Sequence, residues 1–201
     1  MKKIYIILFL SLGFESIFAQ DFSRIAQTFQ QSYIAEAAGN YASAIKELES
    51  ISPASYEINY RLGWLHYLNR NYSQAVKAYQ AAVKNSPNSI EARTGLITTL
   101  TAMENYDEVL KVYQDILRID PNHSKSNYWI AVAYYYRKDY TKATEHLTRV
   151  LKLYPFDYDA NLLMAQTMLA KGKIVEAKQH YQKALLYNPT NKEIEAVLQK
   201  L

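Results

Sequence analysis

Pro53, Pro87, Pro121, Pro155 and Pro189 are the only prolines in this chain, and they are evenly spaced along it. Proline has no amide hydrogen to give a helix and pushes the residue before it towards extended backbone, so each one marks a break. Breaks at a fixed period of this length argue against one domain around one core. They point to a row of supersecondary units, each burying its apolar face against its neighbours.

Between the breaks the apolar spacing is helical. Tyr72, Ala75, Tyr79 and Ala82 recur as Tyr106, Val109, Tyr113 and Ile116, then as Tyr140, Ala143, Leu147 and Val150, then as Ile174, Ala177, Tyr181 and Ala184. Steps of three and four residues hold each set on one stripe of a helix. Upstream of each set a second helix carries a large–small pair: Leu62-Gly63, Leu96-Ile97, Ile130-Ala131 and Met164-Ala165. His66, Leu100, Tyr134 and Met168 each follow three residues after the small member. Two antiparallel helices per unit follow, with small residues where the backbones approach. Helix-start residues come after the breaks: Asn88 or Ser89, Asn122, Asp157, and Thr190 or Asn191. Beyond Pro189, Ile194, Val197, Leu198 and Leu201 share one stripe, as a terminal capping helix over 190–201 requires.

These residues resemble the tetratricopeptide repeat family, whose unit of about 34 residues is a helix–turn–helix with a large–small pair, a later Ala, an aromatic and a closing Pro. NYASAIKELES and NYSQAVKAYQAAVKNSP show the second-helix pattern clearly. The resemblance implies an all-α, right-handed solenoid of five tetratricopeptide-type helix-turn-helix repeats over 22–189 (about 22–53, 54–87, 88–121, 122–155 and 156–189) plus the C-terminal capping helix. The chain departs from the pattern in places. Asn59, Arg93, Asn127 and Asn161 stand where the family has Trp, and Arg70, Glu104 and Lys138 replace the turn glycine that Gly39 and Gly172 keep. In the first repeat Gln31 takes an apolar place. Tyr41 and Ala44 precede Tyr72 and Ala75 by three residues less than the proline interval, so the second helix there ends early.

No enzyme is expected. The four histidines lie apart in the sequence. His146 and His180 are repeat equivalents on helices about 9–10 Å apart, too far for ligand bonds of about 2 Å without both rings bending inward. No phosphate-cradling glycine loop or nucleophile motif occurs, so no catalytic residue, metal or cofactor is expected. A charge of +4, scattered along the chain with pI about 9.0, does not call for nucleic acid. Lys2 and Lys3, the apolar run Ile4 to Phe14 and the Ser16–Ala19 region read as a signal peptide over 1–19. The apolar run is too short to span a bilayer. There is no cysteine, hence no lipid-bearing thiol or disulfide. The expected location is outside the cytoplasm, periplasmic or extracellular.

The resemblance also implies which first-helix positions face the concave side of the solenoid. In the second repeat they are Glu57, Tyr60, Arg61, Trp64, Tyr67 and Leu68; in the fourth, Lys125, Tyr128, Trp129, Val132, Tyr135 and Tyr136. Both tryptophans of the chain fall here. The third repeat offers the small or polar residues Glu91, Thr94, Gly95 and Thr98, a low saddle between two aromatic ridges. The family's clamp for C-terminal carboxylates is broken at Tyr60, Trp64, Arg61, Trp129 and Asp159. Tyr60, Arg61, Trp64, Tyr67, Lys125, Tyr128, Trp129, Tyr135 and Tyr136 are therefore the candidate binding groove, with Arg61 and Lys125 available to pair with a carboxylate. The expected occupant is a peptide or segment of another protein. A glycan stacked on the same rings, or a second copy of the chain, is the alternative.

Overall fold

The structure is a computed structural model that describes residues 22–52 and 54–201. The expected signal peptide and Pro53 lie outside the described residues. Those described form helices and no strand: α1 (22–37), α2 (Tyr41–Glu49), α3 (Tyr56–Leu68), α4 (Tyr72–Asn85), α5 (Ile90–Ala102), α6 (Tyr106–Ile119), α7 (Ser124–Tyr136), α8 (Tyr140–Leu153), α9 (Tyr158–Ala170), α10 (Ile174–Tyr187) and α11 (Lys192–Lys200). From α3 to α10 the helices alternate between 13 and 14 residues, and each follows its equivalent at the interval of the prolines. The proline ruler is therefore also the register of the helices.

Side chains at both ends set that register. The residue before each first helix accepts a hydrogen bond from the first turn: Ser89 Oγ from the Ala92 amide (3.0 Å), Asp157 Oδ1 from Ala160 (2.8 Å) and Asn191 Oδ1 from Ile194 (3.1 Å). In the fourth repeat the cap is His123 and not the expected Asn122. The Nδ1 of His123 accepts from the Ser126 amide at 3.3 Å, while the Asn122 amide is spent on Asp120 Oδ1 at 3.0 Å. At the turn between first and second helix one residue is left-handed: Gly39 (φ 73°), Arg70 (59°), Glu104 (57°), Lys138 (62°) and Gly172 (73°). Three of these five have a Cβ in a conformation that costs an L-residue about 1–2 kcal/mol.

The first repeat is offset as the sequence implies. Helix α1 ends at residue 37, three residues beyond the position equivalent to Leu68, and α2 has only 9 residues against 14 in the other second helices. Gln31 is exposed, and α1 packs inward through Ile25, Phe29 and Ala35.

The chain divides into two compact units, one up to Met103 and one from Glu104 to Leu201. Ala44, Ile45, Leu48, Ile58 and Leu65 form a core in the first. In the same unit the buried Tyr79 ring of α4 lies against both Gly63 of α3 and Gly95 of α5, where a Cβ would meet ring atoms at 2.8 and 2.3 Å. In the second unit the core runs through Ala131, Leu147, Val150, Met164, Ala165, Tyr181 and Ala184 to Ile194 of α11. Val197, Leu198 and Leu201 complete the capping helix's inner stripe, and Lys192, Glu193 and Lys200 are turned away from it.

The asparagines in place of tryptophan form a polar substitute for it. Asn127 is fully buried, and its Nδ2 donates to the carbonyls of Pro121 (3.0 Å) and His123 (3.1 Å). Carbonyls only accept, so Oδ1 must face His146, whose Nδ1 lies at 2.8 Å and carries the proton. Asn161 repeats this with the carbonyls of Pro155 and Asp157 and with His180 at 2.9 Å. The repeat spacing of the two histidines thus reflects two copies of one structural bond between first and second helix.

Relief of the left-handed strain at the turns exceeds the chain entropy that a glycine adds. Arg70→Gly and Lys138→Gly should therefore each raise stability by about 0.5–1 kcal/mol in urea melts. Burial, reinforced by Arg149 and Lys183, holds the His146 and His180 imidazoles below their ordinary value of 6.5. A depressed folded value means that the contribution is complete above the unfolded value and is lost as pH falls through the folded one. Tm should fall as the pH is lowered from about 7.5 through the depressed folded values, and less steeply in a His146→Gln/His180→Gln variant.

Candidate functional site

On α3, Tyr60, Trp64 and Tyr67 follow one another at steps of four and three residues and stand as a wall. Opposite them, Glu91, Thr94, Gly95 and Thr98 of α5 form a floor, and Tyr79 closes the base. Together they line an open cavity of about 310 Å³. The rings support one another: Tyr56 stacks on Tyr60 (6.0 Å between centroids), Tyr60 meets Tyr79 edge-on (5.6 Å), and Trp64 stacks on Tyr67 (5.8 Å). Such pairs fix ring orientation before any ligand arrives. The Thr94 and Thr98 hydroxyls donate back to the Ile90 and Thr94 carbonyls (2.9 and 3.0 Å), so neither has a proton left for the cavity. Trp64 is 38% exposed, and its Nε1 donates to Glu36 Oε1 at 2.8 Å.

Arg61 is a correction. The sequence offers it as an edge cation for a partner's carboxylate, but it is only 7% exposed and forms an ion pair with Glu36. Its guanidinium also lies over the Tyr33 ring, 3.8 Å from the centroid. Burial disfavours the Glu36 carboxylate, but hydrogen bonds from Arg61 and Trp64 outweigh it and hold the carboxyl below its usual range. Arg61 therefore anchors α1 to α3. Glu36 and Tyr33, absent from the sequence reading of the site, belong to the offset first repeat, where the proline ruler does not carry across.

In the second unit, Lys125 and Tyr128 line a cavity of about 270 Å³ with Ser124, Val150, Tyr154, Asp157 and Asp159. Burial first, then Asp159 and Asp157, pushes the Tyr128 hydroxyl above its ordinary value. Trp129, 44% exposed, meets Tyr128 edge-on at 5.4 Å. Tyr135 and Tyr136 form a further edge-on pair at 5.6 Å, with Tyr136 78% exposed. Trp129, Tyr135 and Tyr136 do not line the cavity, and Tyr128 and Tyr135 also pack against the core. Gly95, expected as part of a low saddle, has a second role: its missing Cβ is the space that Tyr79 fills.

Models of the tetratricopeptide repeat match residues 29–90, 67–135 and 134–201. The chain belongs to the tetratricopeptide repeat family. Solved structures agree in fold. A tetratricopeptide repeat protein from Parabacteroides merdae superposes with a TM-score of 0.70 at 17% identity, over 88% of this chain and 71% of that one. A crystal structure of MamA gives 0.66 at 16% identity, covering 85% and 94% of the two chains. MamA from Desulfovibrio magneticus, from residue 41 to its end, gives 0.64 at 17%, covering 84% and 97%. At these identities the likeness establishes the fold alone. No curated protein matches the chain. Tetratricopeptide repeats are protein–protein interaction scaffolds, typically without enzymatic activity, and the fold supports binding of a protein partner.

Gly95→Ala places a methyl 2.3 Å from the Tyr79 ring. It should cost about 1–3 kcal/mol in chemical denaturation and displace Tyr79 into the cavity. Thr98→Ala on the same floor should stay within about 0.5 kcal/mol of the parent.

Proposed function

We propose that the chain is an exported, non-enzymatic adaptor that holds an extended or helical segment of a partner protein against the aromatic wall of its first unit. The observation that carries this reading is the wall itself: three ordered rings, one a partly exposed tryptophan, over an open cavity with a floor of small residues. Each large aromatic offers ~150–250 Å² of surface, and tyrosine and tryptophan dominate binding hot spots because they are stiff and amphipathic. Trp129, Tyr135 and Tyr136 offer a second aromatic surface in the other unit. A scaffold role suits the two repeat-equivalent histidines, since His146 and His180 each spend a ring nitrogen on a structural asparagine. Export rests on the Lys2-Lys3 leader, the short apolar run and the small-residue end of 1–19.

Peptides selected from a displayed random library against the full chain should bind Trp64→Ala at least about tenfold more weakly, with unchanged helicity by circular dichroism. Equal binding to the parent and to Trp64→Ala contradicts the wall as the site. Binding of soluble cell-wall glycans in place of peptides favours sugar stacking on the same rings. N-terminal sequencing of the protein from its native cell should begin near Gln20; a chain starting at Met1 in the cytoplasm contradicts export.

A further inference from the structure

We propose that the cavity of the first unit takes a cationic side chain, an arginine or lysine of the bound segment, with its stem along Trp64 and Tyr67 and its charged head at Glu91. This rests on the reading of that wall as a peptide site and adds the chemistry of the occupant.

The charge around the cavity has one sign. Of its lining residues only Glu91 is ionised at neutral pH, and no lysine or arginine lines it. The cations that neighbour it in sequence are engaged elsewhere. Arg61 is paired with Glu36, and the Arg93 Nη1 donates to the Ser89 carbonyl at 2.8 Å. Among the described residues Glu91 forms no ion pair. Instead it is held by a directional chain of hydrogen bonds. The Ala92 amide donates to Ser89 Oγ (3.0 Å), Ser89 Oγ lies 2.9 Å from the Tyr56 hydroxyl, and that hydroxyl donates to Glu91 Oε2 at 2.8 Å. Tyr56 has one proton and gives it to the carboxylate, so Ser89 must donate to Tyr56. The chain fixes Oε2 and aims the carboxylate. Glu91 also acts on the neighbouring Tyr60 hydroxyl, which burial first and then this charge push above its ordinary value. The groups that meet the carboxylate are therefore neutral tyrosines, and beyond the N-terminal turn of α5 that carries it, no cationic side chain among the described residues offsets its charge.

An unpaired carboxylate at the end of an aromatic slot suits a long cationic side chain. The methylene stem is covered by rings, the head gains from ring faces, and the carboxylate supplies a charge-assisted hydrogen bond. The threonine floor has no free hydroxyl proton with which to hold an anion. A carboxylate-bearing occupant would meet Glu91 and find no cation on the cavity wall to offset it.

The test uses fluorescein-labelled peptides of sequence Gly-Ala-Leu-X-Leu-Ala-Gly, amidated, with X as arginine, lysine, citrulline or glutamate, titrated against the full chain by anisotropy. The arginine peptide should bind about tenfold more tightly than the citrulline peptide, which is isosteric but uncharged, and the glutamate peptide should bind most weakly. Glu91→Gln should bring the arginine-to-citrulline ratio to about one with little change for citrulline. Thr94→Lys, which sets a tethered cation one helix turn from Glu91, should do the same and guards against loss of the Tyr56 bond in the first variant. Equal binding of arginine and citrulline, or a preference that survives both variants, overturns the cation proposal. If it is overturned while all four peptides still depend on Trp64, the wall remains a peptide site. If no peptide binds, or none is sensitive to Trp64→Ala, the wall reading falls as well.

Discussion

Helix ends, more than helix interiors, hold this molecule in register. An N-terminal cap at Ser89, His123, Asp157 and Asn191, and a left-handed residue at Arg70, Glu104, Lys138 and Gly172, recur at one interval and make the helices from α3 to α10 start and stop at the same point of their unit. The candidate site depends on that phase. Tyr60, Trp64 and Tyr67 form a wall because α3 begins at Tyr56, and the Thr94–Gly95–Thr98 floor lies opposite because α5 begins one repeat further on, at Ile90. A slip of one residue would turn both stripes by about 100° and scatter them around their helices.

Much of this was legible in the sequence, and the reasons are physical. Proline spacing reports breaks directly, since no other residue forbids a helix interior so strongly. The three-and-four periodicity reports the buried face through the last three members of each set, Ala75, Tyr79 and Ala82 and their equivalents, while the first members, Tyr72, Tyr106, Tyr140 and Ile174, mark the helix starts to the residue and stay half-buried or exposed. The early end of the second helix in the first repeat followed from its displaced Tyr41.

What was hidden has in common that it depends on side chains meeting across helices or turning back on them. That His123 caps α7 could not be read from residue preference, because a histidine nitrogen caps only when its ring is turned back on the first turn. Nothing in the order of residues tells that Arg61 faces Glu36, across an offset repeat, and not solvent. Gly95 read as a small groove residue. Its tighter constraint comes from the Tyr79 ring of a different helix. The asparagines that replace tryptophan read only as departures from the family pattern. Asn127 and Asn161 are instead the centres of amide–carbonyl–imidazole networks in which a buried amide has its donors and its acceptor satisfied.

If a partner's segment lies in the slot between α3 and α5, a probe on the slot floor must touch it. A photoreactive p-benzoylphenylalanine at position 98 serves as that probe, with the same residue at position 77 of α4, outside the slot, as control. After irradiation in the native cell and mass spectrometry of the crosslinked peptides, position 98 should trap one recurring segment, attached within a residue or two of an arginine or lysine, that position 77 does not. Trapping of the same proteins at both positions, or of segments with no basic residue near the attachment point, would contradict a basic segment held in the slot.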